Sequence, residues 1–234
     1  MSSESYTELC RAFLYSTDHL SNQAGKKGPV ITISRAAGAR GNTIAEALVK
    51  RLESDKTVPH RRPWTLFNQN LIQHVIEEHQ LPEKTEDYFP EDKPEEIRSF
   101  VAEVLGLHGG VYNTMVKTAE TIRRIAKAGN AVIVGRGGNL ITSDLPGALH
   151  IRLVGSEACR IRHYAKHFGL SEAKAASEVE RLDRARQRYI KTHFDKNIED
   201  AVQYDLVLNT DPFTNDQAVD VLVTALHAKL AKHA

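Results

Sequence analysis

The apolar positions of this chain fall into short continuous runs that alternate with longer stretches of helical period. Val30, Ile31 and Ile33 form a β-branched run of the kind found in a fully buried parallel strand. A loop with Gly38 and Gly41 follows. From Asn42 onward Ile44, Leu48 and Leu52, with Ala45 and Val49 beside them, mark one face of a helix. Trp64–Phe67 reads as a short strand and Asn68–Gln80 as a helix with Leu71, Ile72, Val75 and Ile76 in its stripe. Leu81–Pro94, rich in proline and acidic residues, reads as an exposed loop. Glu95–Leu107 and Tyr112–Ala128 read as helices separated by Gly109-Gly110, with Gly129 as the closing C-cap.

Ala131–Val134 is the clearest buried strand, and Gly135-Arg136-Gly137-Gly138 follows it directly. Leu149–Val154 is a further strand, Glu157–Phe168 a helix closed by Gly169, and Ser171 caps a helix running to about His193. Leu206–Leu208 is the last strand. Asn215–Lys232 is the last helix, with Val219, Leu222, Val223, Leu226 and Leu230 facing inward. Strands alternating with helices predict an α/β layer fold around a parallel sheet. Ligands of such sheets sit at the carboxyl ends of the strands. Three of those ends carry distinctive residues: Ser34-Arg35 onward, Gly135-Arg136-Gly137, and Asn209-Thr210-Asp211.

Composition narrows the setting. A chain of 234 residues, 41% hydrophobic and 26% charged, is of globular type and suits one large or two small domains. The net charge of +1 gives no footing for nucleic acid or an anionic membrane. No apolar run approaches the roughly 20 residues of a membrane span. Cys10 and Cys159 make no disulfide framework, so a reducing cytoplasm is the expected location. Charged residues at Glu4, Glu8, Arg11 and Asp18 argue against a signal peptide. Residues 3–15 read as an amphipathic helix that would pack either on the body of the protein or on a second copy, giving a homodimer. Ser21–Gly28 is a polar linker.

The loop before the first helix has a definite chemical use. The first helical N–H groups lack intrahelical partners, the helix dipole adds positive potential, and glycines admit close approach of an anion. A phosphate chain is the natural guest. Against the spacing G-x-x-x-x-G-K-[ST], the window is Ala36-Ala37-Gly38-Ala39-Arg40-Gly41-Asn42-Thr43. The second glycine and the threonine are present, whereas Ala36 and Asn42 replace the first glycine and the lysine. Read alone, the window fits a degenerate phosphate loop or an ordinary strand–loop–helix turn.

A second unusual stretch is Arg181-Leu-Asp-Arg-Ala-Arg-Gln-Arg-Tyr189. Arg181, Arg184 and Arg188 share a helical face at spacings of three and four, where like charges repel mildly. Arginine forks bind phosphate bidentately, so behind a phosphate loop this helix reads as a polyphosphate clamp rather than a solvated face. Two other patterns are weaker. Gly135-x-Gly137 after a strand, with Glu157 about 20 residues on, partly matches a dinucleotide fingerprint, but Leu140 stands where its third glycine belongs. His163 and His167 have the spacing of a zinc pair but no accompanying Glu or cysteine pair, so they read as surface or lid residues.

Together the ITISRAAGARG loop, WTLFNQNLI, AGNAVIVGRGGNLI, GLSEAKAASEVERLDRARQRY and YDLVLNT resemble the cytidylate kinase-like family of P-loop kinases, in the family's order, over about residues 28–226. The resemblance implies a parallel β-sheet sandwiched by helices, with a helical acceptor-binding insertion at about 64–128 and a lid at about 156–198. Residues 1–27 would be an extension and linker, and 28–234 the kinase-like domain.

It implies ATP and Mg²⁺ as cofactors and a nucleoside monophosphate, CMP or dCMP first, as acceptor. Arg35, Gly38, Ala39, Arg40, Gly41, Asn42 and Thr43 would cradle the ATP phosphates, with Thr43 near Mg²⁺. Arg184, Arg186 and Arg188 would close over the transferring phosphoryl group. Arg136, Arg181 and Asp183 would serve the acceptor, and Asn209-Thr210 would lie near the adenine or the ligand edge of the sheet.

Cytidylate kinases differ from this chain at four of the matched positions. They carry lysine where Asn42 stands, aspartate where Gly137 and Asn68 stand, and an acidic residue where Ala185 stands. Arg35 or Arg40 is then the candidate for the missing phosphate-loop charge. A nucleotide-binding pseudokinase that senses or scaffolds without turnover is the alternative reading.

Overall fold

The computed structural model describes residues 28–58, 62–68 and 108–232, with residues 108–117 described in their backbone. The expectations for residues 3–15, the linker, most of the 64–128 insertion, the helices at 68–80 and 95–107 and the 81–94 loop lie outside the described residues.

Five strands form one sheet: β1 (Val30–Arg35), β2 (Thr65–Phe67), β3 (Ala131–Val134), β4 (Ala148–Val154) and β5 (Leu206–Asn209). Their spatial order is β2-β3-β1-β4-β5, and every pairing is parallel. The helices are α1 (Gly41–Ser54), α2 (His108–Ala128), α3 (Gly138–Ile141), α4 (Glu157–Phe168), α5 (Glu172–Phe194) and α6 (Asn215–Ala231). The anticipated α/β fold is therefore the observed one. β1 holds the centre, so the loop after it opens at the middle of the sheet, where β1 separates β3 from β4.

One face of the sheet is apolar along its whole length. Ile31 and Ile33 of β1, Val132 and Val134 of β3, and Leu149, Ile151 and Leu153 of β4 pack in one cluster with Ile44, Leu48 and Leu52 of α1 and Leu222 and Leu226 of α6. The period of α1 and α6 explains this, since their buried positions recur every three to four residues. A capping box fixes the start of α6: the Thr214 side chain accepts from the Gln217 N–H while the Gln217 side chain accepts from the Thr214 N–H.

The other face changes character along the strands. At its amino end Val30, Ala131, Ala148 and Phe67 pack with Ile122, Ile125 and Ala126 of α2. Toward the carboxyl end the register brings Thr32 beside His150 and Ser34 beside Arg152. Thr32 Oγ1 lies 2.9 Å from His150 Nδ1. Arg152, 3% exposed, donates to Ser34 Oγ at 3.0 Å and to Glu199 at 2.5 Å, and its guanidinium lies 5.9 Å from the centre of the Tyr204 ring.

The element boundaries differ from the sequence reading in a few places. Gly109-Gly110 lie inside the first turn of α2 instead of before it. Near a helix start glycine gives up little, because the first N–H groups have no intrahelical partner to lose. Gly138–Ile141 forms a helix of one turn, too short to leave a period in the sequence. β1 runs on to Arg35, which places that arginine on the strand end rather than in the loop. Gly129 (φ 76°) and Gly169 (φ 65°) follow their helices in the left-handed conformation expected of them.

Candidate active site

The loop Ala36–Arg40 leaves the carboxyl end of β1 and feeds α1. Ala36 N–H is bonded back to Leu153 O at 2.9 Å and Ala39 N–H to Ala36 O at 3.2 Å. The first helical bond runs from Ile44 N–H to Arg40 O at 2.9 Å. The N–H groups of Gly41, Asn42 and Thr43 therefore precede any intrahelical partner. Asn42 and Thr43 are exposed. This terminus of a 14-residue helix fits an anion, and the residues present fit a nucleotide's phosphates.

The two arginines of the loop go to different places. Arg40 is the N-cap residue of α1 and has left-handed backbone geometry (φ 60°, ψ 20°), with no side-chain capping bond. Its guanidinium donates to Thr210 O, to Phe213 O at 2.8 Å and to Asn215 Oδ1 at 2.9 Å. It ties the loop to the β5–α6 connection and is turned from the cleft.

Arg35 is buried, and its side chain runs between two glycines. A Cβ on Gly41 would stand 2.8 Å from its Cγ, and a Cβ on Gly135 would stand 2.6 Å from its Nη1. Both positions leave room for this one side chain because they are glycine. The Arg35 head thus lies at the carboxyl end of β3.

The turn after β3 has three consecutive residues with positive φ: Gly135 (89°), Arg136 (56°) and Gly137 (69°). For Arg136 this conformation is costly, the kind of backbone strain that collects at functional sites. Its guanidinium stands 5.9 Å from the centre of the Tyr189 ring on α5. Arg186, one turn earlier on α5, donates to Arg35 O at 3.4 Å. Arg35, Arg136 and Arg186 line one open cleft with Ser34, Asn139 and Tyr189. Among the described residues no carboxylate lines it.

Of the other arginines on α5, Arg184 points outward, 70% exposed, and pairs with Glu180. Arg181 pairs with Glu178 at 2.7 Å. Arg188 is half-buried. The structure therefore brings Arg186 to Arg35 and Arg136, and sets Arg184 apart from them. Helical geometry gives the reason, because Arg184 and Arg186 lie two residues apart and cannot share a face.

Asp183 takes a position that spacing could not reveal. One carboxylate oxygen accepts the loop N–H of Ala37 at 2.7 Å and the other meets Arg160 Nη1 at 2.6 Å. Arg160 also donates to Ala37 O at 2.9 Å and Gly155 O at 3.0 Å. This clasp fastens α4 and α5 to the Ala36–Arg40 loop. Beside it, Asp211 accepts Ser156 N–H at 2.9 Å, and hydrogen bonding from Ser156 holds its carboxyl below the usual range. His163 and His167 are exposed on α4. Among the described residues no group of three His, Cys, Asp or Glu could hold a metal ion, and no helix is long and apolar enough to cross a membrane.

Sequence reasoning missed Arg152 and Arg160. The signal for Arg152 was available: an arginine at an inward position of an otherwise apolar strand, ALHIRLV. Arg160 gave none, because only the tertiary approach of α4 to the loop defines its role.

Comparison with known proteins bears on this arrangement. A model of the cytidylate kinase-like family matches residues 30–212, which include the loop, the Gly135–Gly137 turn and the arginine helix. The chain belongs to the cytidylate kinase-like family. Its parallel sheet flanked by helices is accordingly that of a nucleotide kinase-like protein.

Among solved structures, an uncharacterized protein from Eubacterium ventriosum is similar in fold: TM-score 0.62 at 18% identity, over 85% of this chain and 98% of the other. A shikimate kinase from Bacteroides thetaiotaomicron aligns over 85% of this chain and 98% of its own, at 14% identity and TM-score 0.46, too distant to carry an argument. A uronate isomerase of Corynebacterium glutamicum is 32% identical over 108 residues, 46% of this chain. The chain spans about a fifth of that curated relative's length, since the match covers 21% of it.

Proposed function

We propose that this member of the cytidylate kinase-like family binds ATP on the loop Arg35–Thr43 and transfers the γ-phosphoryl group to a nucleoside monophosphate, with CMP or dCMP the first candidates. One observation carries the reading. Arg35, Arg136 and Arg186 converge from β1, the β3 turn and α5 on a cleft lined, among the described residues, by no carboxylate. Three guanidinium groups around one small space favour an anion there, with Asp183 3.8 Å from Arg186 at its edge. Each charge-assisted hydrogen bond to such an anion contributes about 1.5–3 kcal/mol.

The chemistry asks the protein for position and spread positive charge. An oxygen of the acceptor phosphate forms a bond to the γ-phosphorus as the bond from that phosphorus to the β,γ-bridging oxygen breaks. The electron pair stays on the ADP leaving group. The attacking oxygen is already ionised, so no general base is needed. The N–H groups of Gly41, Asn42 and Thr43 would hold the phosphate chain. Arg186 would neutralise charge on the transferring group, and Arg136 would face the acceptor. Arg188 and Arg181 lie on the face of α5 away from Arg186 and would join only on lid closure, which excludes water from the reacting group. Thr43 would help hold Mg²⁺, which would lower the charge on the phosphate oxygens. Cys159 is a free thiol, in keeping with a reducing cytoplasm.

A pseudokinase reading has its own support. Asn42 brings no charge to the lysine position, and Asp183 already occupies the Ala37 N–H. The test is ADP formation from Mg-ATP against a panel of nucleoside monophosphates, with Arg186→Ala alongside. Acceptor-dependent ADP that falls by about 100-fold or more in the variant is the expected result, the size seen when one preorganised transition-state donor is removed. ATP binding without turnover for any acceptor would transfer the assignment to the pseudokinase.

A further inference from the structure

The loop lacks the lysine that normally reaches the β- and γ-phosphates, yet the molecule places a cation nearby by another route. We infer that Arg35, the last residue of β1, supplies from beneath the loop the phosphate-binding charge that Asn42 does not. The inference rests on the ATP-binding reading above and deepens it.

Three features of the structure select Arg35. First, Arg40, the other arginine of the loop, is committed elsewhere: it donates to Thr210, Phe213 and Asn215 at the β5–α6 connection. Second, the path of Arg35 is defined at both ends by glycine. Its stem passes Gly41, the first residue of α1, and its head passes Gly135 at the carboxyl end of β3. Any side chain at either glycine would collide with it. Third, Arg35 lines the arginine cleft and is 9% exposed. A charge there acts in a medium of lower effective dielectric than the exposed position of Asn42 would offer.

A lysine at position 42 would approach a phosphate chain from the helix side, whereas Arg35 approaches from the sheet side. Its head lies between the loop and the Gly135–Gly137 turn, where the distal end of a seated triphosphate would meet an acceptor. Arg35 is then a catalytic residue as well as a binding one, contacting the transferring group rather than the α-phosphate.

The test compares binding of ATP, AMP and adenosine by calorimetry in the full chain, for the natural protein, Arg35→Met, Asn42→Lys and the double variant, with thermal melts to check folding. ATP should bind the natural protein much more tightly than AMP. Arg35→Met should reduce that preference ten- to hundred-fold, the size of a lost charge-assisted bond, with adenosine binding unchanged. Asn42→Lys should restore at least tenfold of the loss in the double variant.

A folded Arg35→Met that keeps the full ATP-over-AMP preference would overturn the inference and leave ATP binding standing. A natural protein with no such preference would overturn the ATP reading itself. If Arg35→Met does not fold, Asn42→Lys alone decides. A gain in ATP affinity below threefold fits a charge already supplied, and a gain of tenfold or more shows that it was missing.

Discussion

Along β1, Ile31 and Ile33 enter the cluster under α1 and α6, whereas Thr32 and Ser34 meet His150 and Arg152 on the opposite side. The same strand thus serves two surfaces of opposite kind. The first is a close-packed apolar layer, and its contribution is burial. The second begins apolar under α2, then becomes a ladder of buried polar pairs that ends in the arginine cleft. Burying those groups gains little net stability, because each exchanges bonds to water for bonds to protein. Their return is orientation: Arg152 fixes the hydroxyl of Ser34 at the cleft, and Glu199 and Tyr204 hold Arg152 in turn. One face stabilises the sheet and the other positions the site.

The sharpest way to break this contrast is Leu222→Ala on α6, at a position fully buried in the apolar layer. It should cost about 2–5 kcal/mol in urea unfolding, the usual range for such a cavity, while folded protein binds ATP as before. A loss below 1 kcal/mol would show that this face is not the stabilising one.

Arg152→Met comes next. Replacing a buried ion pair by an apolar side chain of similar length is often near neutral, and Glu199, 53% exposed, can return to water. Stability should change by less than about 2 kcal/mol in either direction. The affinity for the acceptor should fall several-fold as Ser34 loses its donor. Destabilisation equal to that of Leu222→Ala would erase the distinction between the faces.

The smallest effect belongs to His150. Burial pushes its imidazole below the ordinary value of 6.5, with the Asp205 carboxylate opposing and the Lys229 ammonium reinforcing that shift. Between the lowered folded value and the unfolded value near 6.5, the unfolded chain binds more protons. Stability is therefore full above about pH 6.5 and declines as the pH falls below it. The urea midpoint should be lower at pH 5.5 than at pH 7, and His150→Gln should flatten that slope. An NMR titration placing His150 above 6.5 would reverse the sign.

Much of the scaffold was legible in the chain. The run at Ala131–Val134, the helix Glu157–Phe168 between Ser156 and Gly169, and the period of α6 each carry a local signal strong enough to survive folding. The arginine site was only half legible. Spacing identified the arginine helix, but four arginines within eight residues point around more than half a turn, and only contact with the loop separates Arg186 from Arg184. Nothing local distinguishes Arg35 from Arg40 either. Their division of labour follows from the left-handed backbone at Arg40, which swings its side chain toward Phe213. The resemblance set Asp183 on the acceptor side, and the sequence held no sign of its further bond to an amide 146 residues away.

The central place of β1 has a consequence for how the molecule comes into being. β1 leaves the ribosome before either of its neighbours in the sheet, β3 and β4, exists. Thr32 waits 118 residues for His150. At a synthesis rate of about 5–20 residues per second, that interval is on the order of 10 s. For most of it the sequence Val-Ile-Thr-Ile has no partner strand, since Ile133 of β3 follows Thr32 by 101 residues. Both neighbours of β1 are present only once β4 has emerged.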